Sequence, residues 1–201
     1  ITSEVHLRAP AVLTILPGTH VKFASGRLCC PSSLPFASLV IDSGSSIRAD
    51  KAVFESESGA LNTTGGLIVV GTADEKDLKG YFPNVFEDYH TVVSREVPAG
   101  FSKLSNCVFL NLGDHCSKLN ALTLFRVKNS SEVFLSCLTF KWSGDAALKF
   151  LGGKHSVDHL TVVGALDSAV ALDWNASLNV ASSLTLQKSN AKTLVQVLGV
   201  V

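Results

Sequence analysis

Methionine is absent from this sequence and charge is scarce, with 17 basic and 17 acidic residues among 201. The formal net charge is therefore zero and the pI near 7.2. A phosphate backbone needs a basic excess to displace its counterions, so nucleic acid is not an expected partner. Long apolar runs are missing too. Runs such as Leu67-Ile68-Val69-Val70 and Val197-Leu198-Gly199-Val200-Val201 fall far short of the ~20 residues of a spanning helix, and no membrane span is expected. Five cysteines (Cys29, Cys30, Cys107, Cys116, Cys137) form no Cys-x-x-Cys pair and no metal-ligand spacing with the six histidines. Neither a metal nor a cofactor is expected. A chain opening on Ile1 without methionine reads as a processed mature protein or a segment of a longer one.

Helical periodicity is nearly absent as well: few segments keep apolar residues at i, i+3, i+4, i+7. What the sequence has instead is 46% hydrophobic residues with a mean hydropathy of +0.31, enough to bury a continuous core and too much for a disordered chain. Short β-branched runs between Gly, Ser, Asn and Asp recur throughout, which is an all-β pattern.

The strands repeat. Leu138-Thr139-Phe140 is followed by Leu148-Lys149-Phe150, Leu160-Thr161-Val162 by Val170-Ala171-Leu172, and Leu184-Thr185-Leu186 by Leu194-Val195-Gln196. An earlier copy, Val108-Phe109-Leu110, lies 30 residues before Leu138, which places a longer loop around His115 to Leu119. In the N-terminal half, Leu13-Thr14-Ile15 and Val21-Lys22-Phe23 align with Leu39-Val40-Ile41 and Ile47-Arg48-Ala49 at an offset of 26, and Leu67 follows Leu39 by 28. Such units are too small to bury their own apolar faces and must stack on neighbours. The expected architecture is a single domain over 1–201, a right-handed parallel β-helix. Roughly eight coils at ~4.8 Å each would make a rod about 40 Å long. Residues 72–103 lose the rhythm and carry Tyr81, Phe82, Phe86 and Tyr89, as expected of a lateral excursion that packs back on the body.

Several segments together resemble a known family. Leu13-Thr14-Ile15-Leu16-Pro17-Gly18-Thr19-His20-Val21-Lys22-Phe23, the coil Leu39-Val40-Ile41 with Gly44 and Ile47-Arg48-Ala49, Gly65-Gly66-Leu67-Ile68-Val69-Val70-Gly71, and Ser143-Gly144-Asp145 with Gly152-Gly153 are similar to secreted right-handed β-helix surface proteins of bacteria. The resemblance spans about Ile1 to Asn190. It implies the fold and an extracellular address, and no catalytic group. Ala146 and Ala147 stand where that family's coil carries acids.

Candidate sites are few. Asp145 and Asp167 hold the same repeat position, which stacks their carboxylates ~5 Å apart, the separation of a retaining glycosidase pair. Lys149, His155, Asp158 and His159 are nearby in sequence, so an enzymatic reading uses Asp145, Asp167 and His159. The simpler reading makes both acids corner residues that cap turns. Asn62, Asn129 and Asn175 open N-x-S/T sequons. Cys107 and Cys137 each precede the first residue of an aligned strand and are disulfide candidates. The vicinal Cys29-Cys30 pair suggests no redox role, and the Thr139, Thr161 and Thr185 row is too short for an ice-binding ladder.

The N-terminal residues Ile1 to Leu7 and the C-terminal stretch Thr193 to Val201 both read as uncapped, making Val195, Val197 and Leu198 self-association candidates. The expected function is an extracellular structural or adhesion module whose partners are further copies of itself, joined head to tail, or a cell-surface glycan. The alternative is a carbohydrate-active enzyme built on the stacked aspartates.

Overall fold

The computed structural model describes residues 1–25, 37–61, 64–71, 100–115, 119–127, 132–187 and 193–198; within 193–198, Val195 is the one side chain included. These residues form strands β1 (Val5–Leu7), β2 (Val12–Ile15), β3 (His20–Phe23), β4 (Leu39–Ile41), β5 (Ser46–Asp50), β6 (Val53–Ser56), β7 (Leu67–Val70), β8 (Ser102–Ser105) and β9 (Val108–Leu110). They continue with β10 (Leu122–Phe125), β11 (Val133–Ser136), β12 (Leu138–Ser143), β13 (Leu148–Leu151), β14 (Lys154–Ala165), β15 (Ser168–Asp173), β16 (Ser177–Gln187) and β17 (Thr193–Leu198). No helix occurs among them. The protein is all-β, and every named strand pairing is parallel.

One sheet has seven strands in the order β1-β4-β7-β10-β13-β15-β17. The other has ten, β2-β5-β8-β11-β14-β12-β9-β6-β3, with β16 added on β14. The long β14 joins two runs of the larger sheet, since Val157 pairs with Leu135 of β11 while Leu160 to Ala165 pair with β12. Seven levels are thus formed in the smaller sheet, against the roughly eight expected.

Alternation fixes the core. Leu138, Phe140, Leu160 and Val162 are buried, whereas Thr139, Thr161 and Thr185 pair with one another on the opposite face. A one-residue slip would turn the hydroxyls inward and expose the large apolar groups. Phe54, Phe109 and Phe140 occupy consecutive rungs of one ladder. Their rings stack at centroid distances of 4.9 and 4.7 Å with interplanar angles of 8° and 13°. At β7 in the smaller sheet both faces are buried: Leu67 and Val69 join the main core, and Ile68 and Val70 on the other face are buried too.

Single residues in the left-handed region turn the chain between strands. Lys51, Asn106 and Cys137 hold one corner (φ 52°, 53° and 51°), Asn111, Trp142 and Gly164 a second, and Arg126, Gly152 and Trp174 a third. The Asn106 N–H donates to Ser136 O at 2.9 Å and the Lys51 N–H to Ser105 O at 3.0 Å, so the ladder continues through the first corner. Most of these residues are neither glycine nor part of a turn signature, and a Cβ makes this conformation unfavourable. The stacked neighbours impose it.

Several expected alignments are corrected. Leu13 pairs with Ile47 and Val5 with Leu39, an offset of 34 and not 26, because the similar Pro17-Gly18 and Ser43-Gly44 turns stand at different corners. Leu39 does pair with Leu67. Val108 pairs with Thr139 and not Leu138, so Cys107 faces Leu138. Val170 pairs with Val195 in place of Leu194. Of the expected excursion 72–103, residues 72–99 lie outside the described residues, and Ser102-Lys103 belong to β8, pairing with β11, and Lys103 also with β5.

Candidate functional site

The offset between Val108 and Thr139 exceeds the 22 residues between Thr139 and Thr161 by nine, and five of those nine lengthen the loop between β9 and β10. In that loop Asp114 and Leu119 close an antiparallel bridge, with Asp114 N–H donating to Leu119 O at 2.7 Å and Leu119 N–H returning to Asp114 O at 3.0 Å. This sets His115 over the corner that follows β12. Gly144 N–H donates to Leu112 O at 2.9 Å, and the Ser143 hydroxyl bonds Leu112 O and Ala146 O at 3.1 and 2.9 Å. One level on, Leu166 N–H donates to Ser143 O. Asp167 therefore lies beside Asp145, as the repeat position requires.

The result is a cluster of His115, Asp145 and Asp167, whose donor atoms all lie within 4.8 Å of one another. His115 Nδ1 and Asp145 Oδ1 are hydrogen-bonded at 3.2 Å. Asp145 is 8% exposed, and burial is the main reason its carboxyl titrates above the usual range. The His115 hydrogen bond opposes that rise, the Asp167 charge adds to it, and the Lys149 charge opposes it. Two carboxylates held this close can share a proton or a cation.

The remaining candidates disperse. His159, expected at this ledge, instead hydrogen-bonds the Ser183 hydroxyl at 2.7 Å on the exposed side of β14. Its neighbour Asp158 accepts from Ser182 Oγ at 3.1 Å. His155 is a core residue: its ring stacks on Phe150 at 4.6 Å, its Nε2 hydrogen-bonds Gly152 O at 3.0 Å, and burial lowers its pKa. None of the three is among the groups that act on Asp145. Cys107 and Cys137 are free thiols, the first in the core and the second at a corner. Val108 pairs with Thr139, so the two cysteines stand one register step away from the alignment on which the disulfide was expected. Asn175 is exposed in the turn after β15, while Asn62 and Asn129 lie outside the described residues.

A second ionic cluster stands near the N-terminus, where His6 Nδ1 bonds Asp42 Oδ1 at 3.1 Å and His6 Nε2 bonds Glu4. Burial there disfavours the charged imidazole, but the hydrogen bonds and charges of Asp42 and Glu4 outweigh it and raise its pKa to about 9.

His115 is the site residue that sequence reasoning passed over. The one signal for it was the long offset after Val108. No family model, no curated protein and no solved structure matches the chain.

Proposed function

We propose that the chain is a right-handed parallel β-helix acting as an extracellular structural or adhesion module, and that its copies join head to tail. The right hand follows from the near-universal handedness of parallel crossovers. One observation carries the assembly. Val5, Leu39, Leu67, Leu122, Leu148, Val170 and Val195 form a single ladder across the smaller sheet. Its five inner rungs are at most 3% exposed, whereas Val5 and Val195 are 43% and 44% exposed. Valine against valine would add a rung of the same kind as those inside.

Leu184, stacked on the buried Leu160 but itself 49% exposed, extends the open face into the second sheet. Val197 and Leu198 belong to the same terminal strand, and their side chains lie outside the described residues. Covering each such side chain is worth about 1.5 kcal/mol or more, and a heterologous contact of this sort does not close on itself. The resemblance to secreted bacterial surface proteins supports an extracellular address.

Light scattering and negative-stain microscopy at micromolar concentration test the reading. The expected result is rod-like particles that lengthen with concentration and are lost in Val195→Lys. A concentration-independent monomer overturns the assembly. Release of reducing ends from polysaccharides, abolished by Asp167→Asn, would favour the carbohydrate-active enzyme instead.

A further inference from the structure

We infer that His115, Asp145 and Asp167 form a binding site for one divalent transition-metal ion, with Zn²⁺ the best fit. The three side chains come from successive levels of the fold and converge at one corner, their donor atoms within 4.8 Å of one another. Zinc bonds of about 2.0–2.2 Å to nitrogen and oxygen set tetrahedral ligands about 3.3 Å apart. The His115 Nδ1 to Asp145 Oδ1 separation of 3.2 Å already meets that spacing. Asp145 is buried, while His115 is about half exposed and Asp167 partly exposed, so the cluster is reached from solvent.

The donor types narrow the choice. Calcium and magnesium take oxygen ligands, whereas one imidazole with two carboxylates suits zinc and, more weakly, manganese. A dication would also neutralise two adjacent carboxylates, one of them buried. Three protein ligands leave a fourth position for water or for an oxygen ligand from a partner. Bound there, the ion would tie His115 to a residue 52 positions further along the chain, clamping three levels together.

Isothermal titration of the full chain with zinc chloride is the test, with the five native cysteines kept. One ion per chain is expected, with a raised melting temperature, and affinity at least tenfold weaker in both His115→Ala and Asp167→Asn. Cobalt(II) provides a second reading: bound here it gives visible ligand-field bands without the intense near-ultraviolet charge transfer of thiolate ligands. The assignment is overturned by an absence of saturable zinc binding, by equal affinity in both variants, or by a cobalt spectrum showing thiolate ligation.

Discussion

Replacing Phe109 by alanine would remove the middle ring of the Phe54–Phe109–Phe140 stack. Phe109 is 1% exposed and its two neighbours are fully buried, so the vacated space has no solvent route and can shrink only by moving packed strands. Phenylalanine-to-alanine changes in such sites cost about 3–5 kcal/mol, and each lost stacked pair accounts for about 0.5–1.5 kcal/mol beyond simple burial. With both neighbours at van der Waals stacking distance, the expected loss is about 4 kcal/mol, in the middle of that range. For an ordinary urea dependence of about 2 kcal/mol/M this moves the unfolding midpoint down by about 2 M. Circular dichroism and intrinsic fluorescence should report the same shift. Coupling is the sharper test: Phe54→Ala and Phe109→Ala combined should fall short of the sum of the single losses by about 1 kcal/mol. A midpoint shift below about 0.5 M, or strict additivity of the pair, would refute the stacked register.

The His6 cluster makes stability depend on pH. Because folding raises the His6 pKa from 6.5 to about 9, its contribution is complete below pH 6.5 and is lost as pH rises through 9, at most about 3 kcal/mol; urea midpoints between pH 6 and 10 should show this decline, and His6→Asn should flatten it. Gly66→Ala should destabilise strongly, since a Cβ there would lie 2.1 Å from Asn120 O and 2.6 Å from Ala121 O, both backbone atoms that cannot step aside; a thermal melt within about 2 °C of the parent would contradict that crowding. In the folded protein, iodoacetamide should label Cys137 readily and Cys107 only on unfolding, because burial both hides the Cys107 thiol and raises its pKa. Mass mapping of the labelled peptides decides it.

The strand alphabet and much of the repeat could be read from side-chain alternation. Leu138, Leu160 and Leu184 with their threonines align because a slip would reverse both faces at once, so the residues themselves encode register. The N-terminal phase was not legible. Pro17-Gly18 and Ser43-Gly44 look alike as turns, yet they serve different corners, and nothing local distinguishes which face a three-residue apolar run will join. Corners occupied by Lys51, Asn106 and Cys137 carry no glycine or proline to mark them, so the Cys107 rung was misplaced by one residue. The Asp145/Asp167 pair was visible because both lie on the regular 22-residue spacing. His115 was not, because its position depends on how an inserted loop folds back over a corner.

The central proposal, that copies stack end on end, is tested most directly by covalent trapping of the predicted contact. Two chains with the five native cysteines replaced would be mixed, one carrying Val5→Cys and the other Val195→Cys, under mild oxidation. Stacking of β17 of one copy on β1 of the next brings these positions to the spacing of neighbouring strands, ~4.8 Å, within the reach of a disulfide. The account predicts a covalent heterodimer that forms rapidly and only when both cysteines are present, with a control cysteine at the exposed Ser183 giving none. No heterodimer above the yield of that control would contradict it.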